Sequence, residues 1–238
     1  MKLILNGGGS GKKCHKSYKK FKQLVGEKKV LFIPFANDEM SYDQALEWFK
    51  EELKPYGIKD IVMIKNVKDL TLDLLKSVGG VYLSGGNAFL LLSILKSCDV
   101  FKILKEYLYS DCVFMASSAG VTVCGKNINS CLRDDLKIAA SDKNNIGLKN
   151  TEGFNIVEGY SFLVHYKLIE EQYSQTELKV QRLLKENYKL ICLPEETSLY
   201  IEDGKITIMG DKPCEVITNL ERKNIRQNEK FTHEDNCV

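Results

Sequence analysis

The chain has 238 residues, and its 34 lysines and arginines nearly balance its 32 aspartates and glutamates, which leaves a formal net charge of +2 at neutral pH. So small a charge creates no overall field that would attract nucleic acid or an anionic membrane surface. A chain of this length can bury a full core as one large α/β domain or as two small ones. We expect a single α/β domain over residues 1–238, with no nucleic-acid or membrane partner.

The N-terminal segment MKLILNGGG reaches glycines after only a few apolar residues, so it lacks the longer apolar core of an export signal. No stretch approaches the roughly 20 apolar residues of a membrane span. The eight cysteines form no C-x-x-C pair, and several lie in apolar runs such as KLICLP. We therefore expect a cytoplasmic protein whose cysteines are reduced and mostly structural.

Short apolar runs alternate with longer amphipathic runs in the first half of the chain, which is typical of βαβ units and a mostly parallel sheet. The predicted strands are almost continuously apolar, as expected when helices cover both faces of a sheet. Active sites in such sheets lie beyond the carboxyl ends of the strands. In chain order we predict strands KLILN, VLFIPFA, IVMI, GVYL and CVFMA, with helices over residues 18–24, 41–53, 72–75, 89–95 and 100–109.

The second half of the chain is less regular. Residues 127–152 are polar, which indicates a long connection or a short hairpin, and connections of that length are often functional. The further predicted elements are a strand over 156–165, a helix over 174–188, the strand KLICLP, a hairpin SLYIEDGKITIMG that turns at Glu202-Asp203-Gly204, and a loosely held polar tail over 221–238.

The glycine-rich segment GGGSGK, Gly7 to Lys12, invites comparison with a phosphate-binding loop. That loop requires glycine, four residues, glycine, lysine and then serine or threonine. With Lys12 in the lysine place, Asn6 stands where the first glycine belongs and Lys13 where the hydroxyl residue belongs. We therefore interpret the segment as a tight turn at a strand end.

The segment VFMASSAGVTVCG places small residues where a buried strand meets a predicted helix. A turn that holds a serine hydroxyl exposed in a strained conformation requires small neighbours, as in the pattern G-x-S-x-G. Ser118 takes the central place, although Ala116 stands where the first glycine is expected. The alternative is a small-residue packing turn without chemistry.

Two further features favour chemistry at Ser118. The loop SGGN ends the fourth predicted strand, so the amides of Gly86 and Ala119 could form an oxyanion hole, whereas a plain turn with Asn87 as helix cap is the alternative. Histidine can serve as the general base, and His165 ends an apolar strand. The other two histidines, His15 and His233, lie in polar segments, and the spacing of the three predicts no metal site.

The order of these motifs resembles the peptidase E (aspartyl dipeptidase) and cyanophycinase group of serine peptidases, whose fold is similar to the class I glutamine amidotransferases. The matching motifs are LILNGGG, SGGN before an apolar helix, S-A-G at the turn, an H-Y dipeptide that closes a later strand, and LPEETSLYIEDG, and together they cover most of residues 1–210. The resemblance implies a flavodoxin-like, mostly parallel sheet with helices on both faces and a C-terminal hairpin. It also implies a small-peptide substrate and no cofactor or metal.

Carried over to this sequence, the resemblance implies Ser118 as nucleophile, His165 as base, and the amides of Gly86 and Ala119 as oxyanion donors. It also implies a carboxylate that holds the histidine, for which we prefer Asp142 because of its distance before His165. The sequence leaves four rivals for this role, namely Asp134, Asp135, Glu195 and Glu196.

Relatives of this type cleave next to an acidic residue, so a cation is expected in the pocket. Arg133 is our candidate because its guanidinium suits a carboxylate, and Asn87 is assigned to substrate binding beside it, while a surface role is the alternative for Arg133. A non-catalytic binding protein with the same fold is the main alternative function. Glutamine amide chemistry uses a cysteine at the elbow, where this chain has serine. A homodimer is one option that the sequence leaves open.

Overall fold

The computed structural model describes residues 1–37, 40–139 and 141–231. His233 and residues 232–238 of the predicted polar tail lie outside these residues. The strands are β1 (Lys2–Asn6), β2 (Val30–Ile33), β3 (Ile61–Met63), β4 (Gly80–Leu83), β5 (Val113–Ser117), β6 (Tyr160–Val164), β7 (Lys189–Leu193), β8 (Thr197–Glu202), β9 (Lys205–Gly210), β10 (Cys214–Ile217), β11 (Arg222–Ile225) and β12 (Lys230–Phe231). The α-helices are α1 (His15–Val25), α2 (Tyr42–Leu53), α3 (Leu72–Ser77), α4 (Ala88–Lys96), α5 (Val100–Leu108), α6 (Ala119–Cys124) and α7 (Tyr173–Lys185).

The larger of two sheets has the strand order β12-β9-β8-β1-β5-β4-β2-β3. Its five strands from β1 to β3 are parallel to one another, and β8, β9 and β12 extend the sheet in antiparallel pairing. The expected mixed α/β fold with a mostly parallel sheet is therefore confirmed. Because β1, β5, β4 and β2 are parallel, their carboxyl ends meet at one edge of the sheet.

Helices cover both faces of this sheet, as the apolar strands predict. On one face, Phe21 of α1 and Phe49 of α2 pack against Ile4 and Phe32. On the other face, alternate strand residues such as Leu5 pack against the remaining core. This division follows from the two-residue period of strands, which sends neighbouring side chains to opposite faces.

A second, four-stranded sheet was not expected from the sequence. Its order is β11-β10-β7-β6, and β6 and β7 run parallel, with Val164 opposite Leu193. We predicted the strands β6 and β7 but no separate sheet, and we did not predict β10. The carboxyl ends of β6 and β7 approach the first sheet at Gly7, whose carbonyl accepts a hydrogen bond from the backbone N–H of His165 at 2.9 Å.

Residues 221–231, the part of the predicted tail that the structure describes, are more ordered than we expected. Strand β11 pairs with β10 in antiparallel register, and β12 pairs with β9. The expectation of a loosely held tail was therefore wrong for Arg222–Ile225, because backbone ladder bonds do not require apolar side chains and an edge strand can be largely polar. The predicted hairpin is confirmed: β8 and β9 are joined by Asp203 and Gly204, both with positive φ, as a tight two-residue turn requires.

The polar segment from residue 127 to 152 is a long connection. It contains a 3₁₀ turn over Ile128–Cys131 and two isolated bridges, Asn127 with Glu152 and Leu132 with Asp142. This connection passes over the carboxyl edge of the large sheet, because the Asp142 carboxylate accepts a hydrogen bond from the backbone N–H of Ala88 at 2.8 Å. It therefore forms one wall of any site at that edge.

Candidate active site

Ser118 lies between β5 and α6 in a backbone conformation that L-residues rarely adopt, with φ +52° and ψ −115°. The small residues around it are sterically required. A Cβ on Gly120 would lie 2.7 Å from the carbonyl oxygen of Leu83, and one on Gly85 would lie 3.0 Å from the Cβ of Ser118. The interpretation of this junction as a strained elbow thus has a steric basis.

The hydroxyl of Ser118 lies 2.7 Å from Nε2 of His165, and Nδ1 of the same ring lies 2.7 Å from Oε1 of Glu195. An ionised carboxylate only accepts hydrogen bonds, so the proton of a neutral His165 resides on Nδ1. Nε2 is then free to accept from the serine hydroxyl. His15, by contrast, is exposed and contacts Tyr56.

The ring of His165 is positioned by the glycine-rich end of β1. His165 has φ +51°, and the next amide, that of Tyr166, donates to the carbonyl of Leu193 at 3.1 Å. Gly8 has φ +123°, and a Cβ placed there would lie 2.2 Å from Cε1 of His165. The LILNGGG motif is therefore the surface against which the imidazole rests, which explains why this turn needs glycine.

Glu195 follows β7 and is nearly buried, with 9% of its side chain exposed. A hydrogen bond from His165 and a second one from Lys13, at 2.5 Å from Oε2, lower the pKa of the Glu195 carboxyl to about 2, although partial burial opposes this. The carboxylate is consequently ionised over the whole neutral range. Both of its oxygens have a partner, so its orientation is fixed.

The acid at His165 differs from the one we preferred. Asp142 contacts the start of α4: its Oδ2 accepts from the amide of Ala88, and the thiol of Cys131 lies 3.7 Å away. The structure thus corrects the preference for Asp142 and brings Glu195 to the histidine. The distance of Asp142 from His165 in the sequence was a poor guide to contact. Strand β7 lies next to β6, so Glu195, which follows β7 and comes later in the chain than His165, reaches the imidazole.

The remaining rivals also have other partners. Asp134 receives a hydrogen bond from the buried ammonium of Lys179 at 3.0 Å, Asp135 pairs with Arg182, and Glu196 lies 3.2 Å from Nζ of Lys212. Each of these three acids therefore pairs with a lysine or an arginine and not with His165. Sequence reasoning counted Glu195 only among the rivals and overlooked Lys13, for which no local motif gives a signal.

A cavity of about 450 Å³ opens beside Ser118. Its lining includes Ser118, His165, Gly86, Ala119, Asn87, Arg133, Asp142 and Lys143. Arg133 is exposed, and none of the salt bridges among the described residues involves its guanidinium. The long connection therefore brings a cation to the wall of the cavity that contains the serine.

Gly86 and Ala119 lie on two different elements, yet both border this cavity. Gly86 has φ +135°, and a Cβ there would lie 2.0 Å from the carbonyl oxygen of Ala36, so only glycine fits. Asn87 has the role of helix cap that we weighed as an alternative: its Oδ1 accepts from the amides of Phe89 and Leu90, and its Nδ2 donates to the carbonyl of Lys143.

Metal-binding clusters and membrane-spanning helices are both absent from the described part of the chain. No group of three His, Cys, Asp or Glu side chains there has the arrangement of a metal site. No helix there combines the length and the apolar composition needed to cross a bilayer.

Curated proteins that are similar to this chain include peptidases. Peptidase E of Shewanella denitrificans is 24% identical over 192 residues, covering 78% of this chain and 76% of that protein. An uncharacterized peptidase of Listeria monocytogenes, Lmo0363, is 27% identical over 152 residues, covering 63% of this chain and 71% of that protein.

Solved structures share the fold. The crystal structure of a peptidase from an acI-B1 Actinobacterium superposes with a TM-score of 0.71 at 19% identity and covers 97% of this chain and 96% of that one. A putative peptidase E protein from Listeria monocytogenes gives a TM-score of 0.67 at 20% identity, covering 89% of this chain and 98% of that one.

The sequence model of peptidase family S51 matches residues 3–209. This range begins in β1 and ends in β9, so it contains Ser118, His165 and Glu195 together with the elements that position them. Since the match spans most of the chain, the protein belongs to peptidase family S51 and is a serine peptidase of the peptidase E type.

Proposed function

We propose that the protein hydrolyses small peptides at aspartyl bonds, through an acyl-enzyme on Ser118. The observation that carries this proposal is the continuous line of hydrogen bonds from Ser118 through His165 to Glu195, at a cavity whose wall includes Arg133. Nucleophile, base and orienting acid in hydrogen-bond contact are the arrangement that serine acyl transfer requires.

In the first half of the proposed reaction, the oxygen of Ser118 attacks the carbonyl carbon of the peptide bond, and its proton passes to Nε2 of His165. A carbon–oxygen bond forms and the carbonyl oxygen becomes an oxyanion. The carbon–nitrogen bond then breaks as His165 gives the proton to the leaving amine. An ester between Ser118 and the acyl part of the substrate remains.

In the second half, a water molecule attacks the ester carbonyl while His165 accepts one of its protons. The ester bond to Ser118 breaks, and His165 returns the proton to the serine oxygen. Glu195 stays ionised throughout: it keeps the proton of His165 on Nδ1 and stabilises the imidazolium that forms in both halves. Loss of the corresponding carboxylate in serine proteases lowers kcat by about 10⁴-fold.

The amides of Gly86 and Ala119 are the proposed donors to the oxyanion. Both residues line the cavity, and Ala119 follows the nucleophile directly at the start of α6. Backbone N–H groups in such positions stabilise the negative charge that develops on the carbonyl oxygen, and each donor typically contributes about 2.7–4 kcal/mol to the transition state.

Arg133 is the proposed recognition residue for the substrate's aspartyl carboxylate. Its planar guanidinium can donate two parallel hydrogen bonds to a carboxylate, and no acid among the described residues forms a salt bridge with it. Lys143 lines the same cavity and adds positive charge, whereas Asp142 is already held by the amide of Ala88. The cavity therefore favours an anionic substrate group.

A serine-directed phosphonate and a peptide panel test this proposal. Wild type and the Ser118→Ala variant are assayed with aspartyl dipeptides, isoaspartyl dipeptides and simple esters, and the labelled residue is identified by mass spectrometry. We expect hydrolysis of aspartyl substrates by wild type and labelling at Ser118 alone. The matched control is Ser117→Ala, which removes the neighbouring hydroxyl, 3.4 Å from Oδ1 of Asn6, and should leave labelling intact.

Three results would contradict the proposal: no labelling of Ser118, unchanged hydrolysis by Ser118→Ala, or equal rates for acidic and neutral peptides. The first two results would refute the role of Ser118 as nucleophile, and the third would refute only the specificity for aspartyl substrates. A non-catalytic binding protein, the alternative considered from the sequence, would not need a strained serine within 2.7 Å of an imidazole nitrogen.

A further inference from the structure

We infer that Lys13 is a positioning residue of the active site, which fixes the Glu195 carboxylate for His165 and sets the pH range in which His165 can act as base. This inference rests on the proposed function of Ser118 and His165. It assigns a role to the lysine that directly follows the glycine-rich segment Gly7 to Lys12, for which the comparison with a phosphate loop gave none.

The geometry places Lys13 on the side of the carboxylate opposite the histidine. Nζ of Lys13 lies 2.5 Å from Oε2 of Glu195, while Oε1 accepts from Nδ1 of His165 at 2.7 Å. A carboxylate held at both oxygens cannot rotate away from the imidazole without losing an ion pair. Lys13 therefore acts on the serine through two intervening groups, and it is not among the residues that line the cavity beside Ser118.

The glycine turn is shaped to allow this contact. Gly9 has φ +76°, and a Cβ there would lie 3.0 Å from Oε2 of Glu195 and 3.2 Å from Cδ of Lys13. The backbone thus passes directly over the ion pair, where a side chain would intrude. At the next turn, the amide of Gly11 donates to Glu52 at 2.7 Å, which ties the segment to α2.

The other ionisable groups in this part of the structure do not supply the positive charge that Lys13 places on Glu195. Glu196 pairs with Lys212 at 3.2 Å. The thiol of Cys14 is buried, which raises its pKa to about 12, so it is neutral, and it lies within hydrogen-bond distance of the Gly8 carbonyl. Glu52 is bound to the amide of Gly11.

Across the cavity, Arg133, Lys143 and Asp142 lie on the long connection, and Ser118 faces His165 directly. The Glu195 carboxylate has His165 and Lys13 as its hydrogen-bond and ion-pair partners among the described residues. Lys13 is thus the cation that neutralises Glu195 when His165 is neutral.

A positive charge at Lys13 opposes the formation of a second positive charge on His165. Without it, the unbalanced carboxylate would favour the imidazolium, and a protonated His165 cannot accept the serine proton. Replacement of Lys13 by a neutral residue should therefore move the acidic limb of the activity profile to higher pH. Because 44% of the Lys13 side chain is exposed, salt should screen part of this effect in wild type.

The experiment measures the rate of phosphonate labelling of Ser118 against pH in wild type, Lys13→Met, Lys13→Arg and Lys12→Met. Lys12 is the matched control, since it is the adjacent lysine and is exposed. We expect the half-maximal pH of the acidic limb to rise by about 0.5–1 unit in Lys13→Met. Lys13→Arg and Lys12→Met should keep the wild-type limb, and high salt should shift wild type more than Lys13→Met.

An unchanged or lowered half-maximal pH in Lys13→Met, with the thermal unfolding temperature of wild type, would overturn the inference. The same holds if Lys12→Met gives an equal shift, because the effect would then be one of general surface charge. Wild type that is not labelled at Ser118 would instead refute the proposed function, and the inference with it. A normally labelled wild type with no shift in the variant would refute the inference alone.

Discussion

Glu195 and His165, thirty residues apart in the chain, are joined by a 2.7 Å hydrogen bond between Oε1 and Nδ1. They follow the neighbouring parallel strands β7 and β6 of the smaller sheet, whereas Ser118 follows β5 of the larger one. The candidate active site is therefore assembled where the carboxyl ends of strands from two sheets meet.

The choice of acid can be tested by comparing two isosteric changes. Glu195→Gln should lower kcat by roughly 100- to 10,000-fold, because the amide can donate to Nδ1 and favour the wrong tautomer. Asp142→Asn should keep most of the activity, since the Asp142 side chain contacts the amide of Ala88. Steady-state kinetics on an ester substrate decide between them, and a larger loss in Asp142→Asn would restore Asp142 as the orienting acid.

Gly8→Ala should inactivate the protein by displacing the imidazole. The added Cβ would lie 2.2 Å from Cε1 of His165, at a backbone φ of +123°. Gly26→Ala is the control, because Gly26 also has positive φ, +64°, but no atom lies within 4 Å of its added Cβ. We expect both variants to lose roughly 1 kcal/mol of folding free energy or more. Only Gly8→Ala should lose phosphonate labelling, and equal labelling in both variants would contradict this placement of His165.

Arg133→Met should weaken the reaction with acidic substrates selectively. Loss of a charge-assisted pair to the substrate carboxylate should lower kcat/KM for an aspartyl dipeptide by about 10- to 100-fold, mainly through KM. Hydrolysis of an uncharged ester should change little. Arg226→Met, at an exposed arginine outside the cavity lining, serves as control. Parallel losses on both substrates would mean that Arg133 supports the cavity wall instead of recognising charge.

Ser118→Gly should abolish activity and at the same time give a more stable fold than Ser118→Ala. Ser118 has φ +52° with ψ −115°, a conformation that glycine adopts at lower cost. Strain of this kind is worth about 1–3 kcal/mol. Urea unfolding should therefore give a higher free energy for Ser118→Gly than for Ser118→Ala. A free energy equal to or below that of Ser118→Ala would argue against strain at the elbow.

Stability should depend on Glu195 between about pH 4.5 and pH 2. Because His165 and Lys13 lower the pKa of this carboxyl from 4.5 to about 2, the unfolded state binds a proton in this range that the folded state does not. The contribution is complete above pH 4.5 and disappears as pH falls towards 2. Urea unfolding of wild type and Glu195→Gln at several pH values should show a difference that narrows on acidification. A constant difference would contradict the lowered pKa.

The sequence alone predicted those parts of the fold whose cause is local. Alternating apolar and amphipathic runs predicted the strands β1 to β5 and the helices between them, since burial imposes a strand or helix period of apolar residues on each element of an α/β layer. The Asp203-Gly204 turn was recognisable because few residues adopt positive φ in succession. The second sheet was missed because its strands β10 and β11 are short and partly polar.

The same distinction between local causes and long-range contacts applies to the candidate site. Ser118 was recognisable as a candidate because steric crowding at a sharp turn admits few residue types, and His165 because it ends an apolar strand. The partnership of Glu195 with His165 and Lys13 could not be inferred, because it joins three segments that are distant in sequence. Only the order of the strands in space decides which of several acids reaches the imidazole, and that order depends on packing across the whole core.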